Sequence, residues 1–141
     1  MENQNLNQKI RIISAEDVEI NQMLLERIFS HNKYELTTVY NGSELIEKLE
    51  NESYDIIPMD IQMPIMNGIE ATRIIRKSSK YSDIPIIAVS SYAFEEDVKE
   101  IMDSGINTYI SKPLRKKHLM ETIEKLLIWN YIIIALSVIS T

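Results

Sequence analysis

Residues 56–64 read IIPMDIQMP, a short apolar run that ends on a carboxylate and resumes at once with apolar side chains. An apolar run of this length, set between turn residues, reads as a strand covered on both faces. Asp60 therefore stands where a strand leaves a core. The same shape recurs on either side. Residues 10–14, 34–40, 55–59, 84–89 and 107–110 read as five strands, with segments of helical period between them. Ile20, Leu24 and Ile28, spaced by four, give the first helix one apolar face. Asn41-Gly42 makes a turn, Ser43 can cap, and Leu45, Ile46 and Leu49 line the inner face of the second helix. After Asn67-Gly68, residues Ile69, Ile74 and Ile75 mark the third, which dissolves into the polar stretch 77–83. Residues 94–102 form the fourth, stopped by Gly105, and a fifth runs from Leu114. Strands alternating with helices predict an α/β domain whose sheet is parallel and carries helices on both faces.

Composition narrows the function. The 141 residues are 45% hydrophobic and 26% charged, which suits one globular domain. A formal net charge of −6 speaks against nucleic acid, whose affinity rests on clustered Lys and Arg. With no cysteine, disulfides and thiolate metal sites are excluded. The first residues, MENQNLNQ, lack the apolar core of a signal peptide, so a cytoplasmic protein is expected.

In an open parallel sheet, ligands bind at the carboxyl ends of the strands. Those ends carry Glu16-Asp17, Asp60, Ser90-Ser91 and Lys112. Three carboxylates, a hydroxyl and an ammonium are thus expected on one rim. Oxygen ligands without His or Cys suit Mg²⁺ or Mn²⁺. A carboxylate such as Asp60 can attack phosphorus to give an acyl phosphate, while Lys and Ser hold oxygens of the transferring group.

The stretches AEDVEINQ (15–22), MDIQMPIMNGIEA (59–71), IIAVSSYA (86–93) and YISKPL (109–114) together resemble the receiver domain of two-component response regulators. The resemblance spans residues 9–128, leaving 1–8 as an N-terminal tail and 129–141 as an apolar C-terminal tail. It implies a flavodoxin-like, CheY-like sheet of order 2-1-3-4-5. It further implies Asp60 as phosphoacceptor, Glu16 and Asp17 as the acidic pair for Mg²⁺, and the Gln62 carbonyl as a further metal ligand. Ser90 matches the switch hydroxyl, Lys112 the phosphate-binding lysine and Tyr109 the aromatic switch. Tyr92, with Gln62, occupies a position that tunes the lifetime of the phosphoryl group, and Lys112-Pro113 matches a cis bond. The implied activity is that of a phosphoacceptor signalling domain rather than an enzyme. The implied partners are a histidine kinase or a histidine phosphotransfer protein. The stretches EDVEINQMLLERIF and MPIMNGIEATRIIR look most like receivers at the C-termini of hybrid histidine kinases.

A haloacid dehalogenase-type phosphatase is the alternative, since it also uses an Asp nucleophile with Mg²⁺ after a parallel strand. It requires a second Asp two residues on, where this chain has Gln62. Asp17 is expected to cap the first helix as well as to bind metal. His31 and His118 sit in polar contexts and read as surface residues, and Arg115, Lys116 and Lys117 as a solvated face. Pro58 removes a ladder donor, so a gap in the sheet is expected two residues before Asp60. Beyond the fifth helix, residues 126–139 are almost wholly apolar, yet as a helix they rise only about 21 Å against a hydrocarbon core of roughly 30 Å. Membrane contact is therefore not expected. Homodimer packing is expected instead, through this tail or through the face of helix four, strand five and helix five.

Overall fold

The computed structural model describes residues 8–91 and 95–140. Its elements alternate as β1 (Ile10–Ala15), α1 (Glu19–Ile28), β2 (Tyr34–Val39), α2 (Gly42–Asn51), β3 (Ile57–Asp60), α3 (Gly68–Lys77), β4 (Ile86–Ser90), α4 (Glu95–Asp103), β5 (Thr108–Ser111) and α5 (Lys116–Ile139). The strands pair in parallel in the order β2-β1-β3-β4-β5, the order that the resemblance implied. Consecutive side chains of a strand point to opposite faces, and the isoleucine doublets exploit this. Ile12, Ile56 and Ile87 pack with Leu25 and Ile28 of α1 and Leu119 and Ile123 of α5. Ile13, Ile57 and Ile86 pack with residues of α2, α3 and α4 on the other side.

Local chemistry sets the helix ends. Asn41, not Ser43, caps α2, its side chain accepting from the Glu44 amide at 2.9 Å. Ser43 lies inside the helix. Asn67 and Glu70 form a reciprocal capping box at the start of α3. Gly105, at φ 108°, turns the chain out of α4, a conformation that favours glycine. The expected start of that helix at Phe94 lies outside the described residues.

Two apolar faces differ from expectation. Ile20 is 71% exposed and Leu24 39%, and α1 instead buries Gln22, Leu25 and Ile28. A spacing of four drifts by about 40° per step around a helix of 3.6 residues per turn. Ile28 remains inside while Ile20 has rotated out. Gln22 takes an inner position because its amide donates to the Glu16 and Val39 carbonyls. In α3, Ile69 and Ile75 face the core, whereas Ile74 is exposed.

Pro58 leaves the expected gap. β3 pairs with β4 without interruption from Ile57 to Asp60, but with β1 only through Ala15 opposite Met59 and an isolated bridge between Ile12 and Ile56. Ile57 donates to Pro85 on the β4 side, so the missing donor of residue 58 would have faced β1. A cavity of about 140 Å³ lies beside this gap, with Leu24, Leu25, Pro58 and Val89 in its wall.

The fifth helix is one continuous element of 24 residues that passes through positions 128 and 129 without a break. Its first half anchors on Leu119 and Ile123, and its second half runs past the sheet into solvent. By length and composition it is apolar enough to cross a membrane, with mean hydropathy 1.7 over its most apolar window, although Lys116, Lys117, Glu121, Glu124 and Lys125 occupy its first half.

Replacing Pro58 by leucine restores a ladder donor and places methyl groups against the cavity. Pro58→Leu is expected to stabilise the domain by about 1–2 kcal/mol, read as a higher urea midpoint at unchanged slope. A midpoint equal to or below that of the parent would refute this account of the gap.

Candidate functional site

The five carboxyl strand ends meet on one rim, and most of the expected site residues lie there. Glu16 follows β1, Asp60 ends β3, Ser90 ends β4 and Lys112 follows β5. Glu16, Asp60 and Ser90 are buried, while Asp17 faces solvent. One carboxylate oxygen from each of Glu16, Asp17 and Asp60 lies within 4.8 Å of the others. Lys112 reaches into this cluster, with Nζ 3.3 Å from Asp60 Oδ2 and 4.0 Å from Glu16 Oε2. Its own backbone amide donates to the Ser90 carbonyl, which ties the lysine to the strand that carries the hydroxyl. The Lys112-Pro113 bond is cis, as the resemblance implied.

Each acid is fixed by donors. Asp60 Oδ1 accepts from the Gln62 amide at 3.1 Å. Glu16 Oε1 accepts from the Asn21 side chain at 2.7 Å and from the Val18 amide at 3.3 Å. Asp17 does not cap α1; Val18 is the N-cap, and its own side chain makes no capping bond. Burial pushes the Glu16 carboxyl up to about 7 from an ordinary 4.5; the Asn21 bond opposes this, the nearby Asp60 adds to it and Lys112 opposes it. Three acids thus face a single ammonium in a half-closed pocket. Such an excess of negative charge, presented only by oxygen atoms, fits a hard divalent cation.

Three supporting residues were not singled out from the sequence for this site. Asn21 orients Glu16, and Gln22 holds the Glu16 backbone by donating to its carbonyl at 2.6 Å. Gly68 allows α3 to start against the acceptor strand, since a Cβ there would lie 2.8 Å from the Asp60 carbonyl oxygen and 3.0 Å from Ile61 Cα. The Asn67-Gly68 pair announced a turn, but nothing in the sequence revealed this close approach. Tyr109 sits half-buried on β5 and packs against the core cluster on the α2–α4 face. Tyr92 lies outside the described residues.

Fold and rim together define a doubly wound α/β domain with an acidic, lysine-bearing pocket at its switch point. Residues 12–124 match the model of the response regulator receiver domain, and the chain belongs to that family. It is 36% identical over 80% of its length to hybrid signal transduction histidine kinase I of Dictyostelium discoideum, of which it spans only 7%. It is 33% identical over 82% of its length to the polar-differentiation response regulator DivK of Brucella anthropi, of which it spans 94%. Among solved structures, the receiver domain of a Pseudomonas aeruginosa sensor histidine kinase, with magnesium coordinated in its active-site cleft, superposes with a TM-score of 0.79 at 29% identity. That match covers 84% of this chain and 98% of the other. The chain is therefore a receiver domain of two-component signalling. The haloacid dehalogenase alternative finds no support, and Gln62 stands where its second aspartate is required.

The raised Glu16 carboxyl has a definite consequence for pH. Below about pH 4.5 the group is protonated in the folded and unfolded chains alike, and between there and about 7 only the unfolded chain releases its proton. The cation-free domain should therefore lose stability as pH rises through that window and level off above it. Glu16→Gln should flatten the loss, and saturating Mg²⁺ should oppose it at the upper end. Urea midpoints at about pH 5 and about pH 7.5 decide this; an equal fall in parent and variant would assign the loss elsewhere.

Proposed function

We propose that this domain accepts a phosphoryl group on Asp60 from a phosphohistidine of a histidine kinase or histidine phosphotransfer protein. The observation that carries the reading is the pairing of Asp60 with Lys112 Nζ at 3.3 Å beside the carboxylates of Glu16 and Asp17. Glu16, Asp17, Asp60 and the Gln62 carbonyl would hold Mg²⁺ or Mn²⁺, which when bound neutralises charge on the transferring phosphoryl group. An Asp60 carboxylate oxygen forms the new bond to phosphorus as the bond to the donor imidazole breaks, and the imidazole leaves with that electron pair. Gln62 N–H orients the acceptor carboxylate through the other oxygen. Lys112, already in the pocket, transfers its ammonium contact from Asp60 to a phosphoryl oxygen, and the Ser90 hydroxyl donates to another.

The product carries about −2 charge with strong acceptor oxygens. Movement of Ser90 toward it, with Tyr109 following, would alter the face of α4, β5 and α5. A partner or a second copy that prefers the altered face must by linkage favour phosphorylation. Tyr92 would limit access of water to the acyl phosphate. The domain acts in the cytoplasm, where nucleotide-dependent histidine kinases supply the donor. It fits either a free-standing regulator, as the span of its match to DivK supports, or the receiver of a hybrid histidine kinase.

Incubation with acetyl phosphate and Mg²⁺ should add one phosphoryl mass to the intact chain, labile to hydroxylamine. Asp60→Asn should abolish the adduct, and an undiminished adduct would move the acceptor elsewhere. Lys112→Ala should leave Mg²⁺ titration intact but slow labelling by at least about tenfold, and normal labelling would reduce Lys112 to a structural ion pair. A Tyr92→Ala variant should lose its phosphoryl group faster than the parent does, and equal decay would remove Tyr92 from the lifetime mechanism.

A further inference from the structure

The fifth helix starts near the rim, after β5, and its second half emerges at the end of the sheet opposite the acidic pocket. There Asn130, Ile134 and Ser137 border a groove of about 880 Å³ together with Ser53, Asp83 and Asn107, which precede β3, β4 and β5. Residues 126–141 include no charged side chain. Tyr131, Ile132, Ile133 and Ile134 fill one whole turn, at about 100° per residue, and each is at least 44% exposed. Only 6% of the most apolar window of this helix lies inside the protein, so it is not a core helix.

A partner helix covers a stripe, not a circumference. A turn that is apolar on every side is enclosed either by the interior of a large protein or by lipid. Two further observations favour lipid. Trp129 and Tyr131 share the groove with Tyr54 and Tyr81, so four aromatic side chains gather where the charged first half of α5 gives way to its apolar second half. Such rings, apolar with a polar handle, concentrate at the boundary between water and hydrocarbon. Beyond them, the helix satisfies its own hydroxyls. Ser137 donates to the Ile134 carbonyl at 2.8 Å and Ser140 to the Ser137 carbonyl at 3.2 Å, as a segment without access to water requires.

We propose that the second half of α5 inserts into a lipid bilayer, steeply along its own axis, with Trp129, Tyr131 and the groove at the level of the headgroups. Ile139 then lies about 15 Å deeper, near the middle of a hydrocarbon core of roughly 30 Å. The shortfall in length that speaks against a complete crossing does not bear on insertion to this depth. A helix lying flat in the interface needs a charged face, which residues 126–141 do not offer. The acidic pocket, at the other end of the sheet, stays in water and open to a phosphodonor. Anionic headgroups repel a chain of net charge −6, so apolar area drives the insertion and a zwitterionic lipid suffices.

Trp129 is the only tryptophan in the sequence and reports its own depth. The full chain, diluted from detergent into phosphatidylcholine vesicles, should float with them, and its emission should shift to the blue. Ile132→Asp should weaken this partition by roughly a hundredfold, while acetyl phosphate labelling stays at the parental rate. Lipids brominated near the headgroup should quench Trp129 best. For Ile139→Trp in a Trp129→Phe background, lipids brominated near the chain ends should quench best. A parent that stays behind when the vesicles float, whether as monomer, dimer or larger assembly, would overturn the proposal. So would flotation that requires phosphatidylglycerol, flotation indifferent to Ile132→Asp, or equally shallow quenching at both positions. Because labelling is followed separately, failure of insertion leaves the phosphoacceptor reading of Asp60 untouched, and the reverse holds too.

Discussion

Like charges held together against their repulsion are the constraint from which the rest of this structure follows. Glu16 and Asp60 are both buried at the end of the sheet with Asp17 beside them, and among the described residues only Lys112 opposes them. Two unpaired buried carboxylates would be expensive, so the surroundings must supply donors and a cation. Asn21, Val18 and Gln62 supply the donors. Burial, with the nearby Asp60 adding to it, raises the Glu16 carboxyl, and the excess of carboxylates makes the pocket receptive to a divalent ion. The energetic tension among these carboxylates and their affinity for a cation are one property.

Such a site needs a scaffold that does not relax, and the end of the sheet away from the pocket shows how rigidity is obtained. Arg76, from the last turn of α3, donates to the carbonyls of Ser82, Ile84 and Gly105 and to the side chain of Asn107. Asn107 in turn accepts from the Ile86 amide at the start of β4. One guanidinium therefore joins a helix end, the entry to β4 and the turn before β5. Burial lowers its pKa, with Asp83 opposing, yet arginine stays charged under such pressure. The glycine at 105 is required twice over, since its positive φ disfavours a side chain and a Cβ would lie 2.8 Å from Arg76 Cγ.

The fold was legible because its inner strands β3 and β4 are buried along their whole length and read as apolar runs, while the edge strands β2 and β5 are only partly covered. Rim chemistry was legible for a related reason, as polar residues directly after such runs have few places to go. What escaped the sequence was rotation and proximity. Ile20 and Leu24 share a plausible apolar spacing with Ile28, but the hydrogen bonds of Gln22 turn a different stripe inward. Ser43 and Asn41 are both competent caps, and only the backbone decides which one stands at the helix start. The need for Gly68 depends on how closely α3 approaches Asp60, a distance set by the whole core. The conformation of residues 126–139 was likewise open, since isoleucine triplets suit strand and helix alike. Continuity with the anchored first turns of α5 is consistent with a helix, because extending a formed helix avoids the unfavourable nucleation step.

Pro58 brings these themes together at the acceptor. On the β4 side, the strand carrying Asp60 is held residue by residue, whereas on the β1 side it is attached through Met59 and then, past Pro58, at Ile56 and Asp55. The carboxylate thus sits on a strand fixed along one edge and loosened along the other, with a cavity beneath the loosened part. Of the acids it must face, Glu16 and Asp17 follow β1, the weakly joined neighbour, while Ser90 and Lys112 belong to the firmly joined side. Strain introduced at Asp60 by an added charge would therefore be absorbed first between β1 and β3. The distances to Lys112 and Ser90, through which a changed surface would be produced, are the ones the ladder protects.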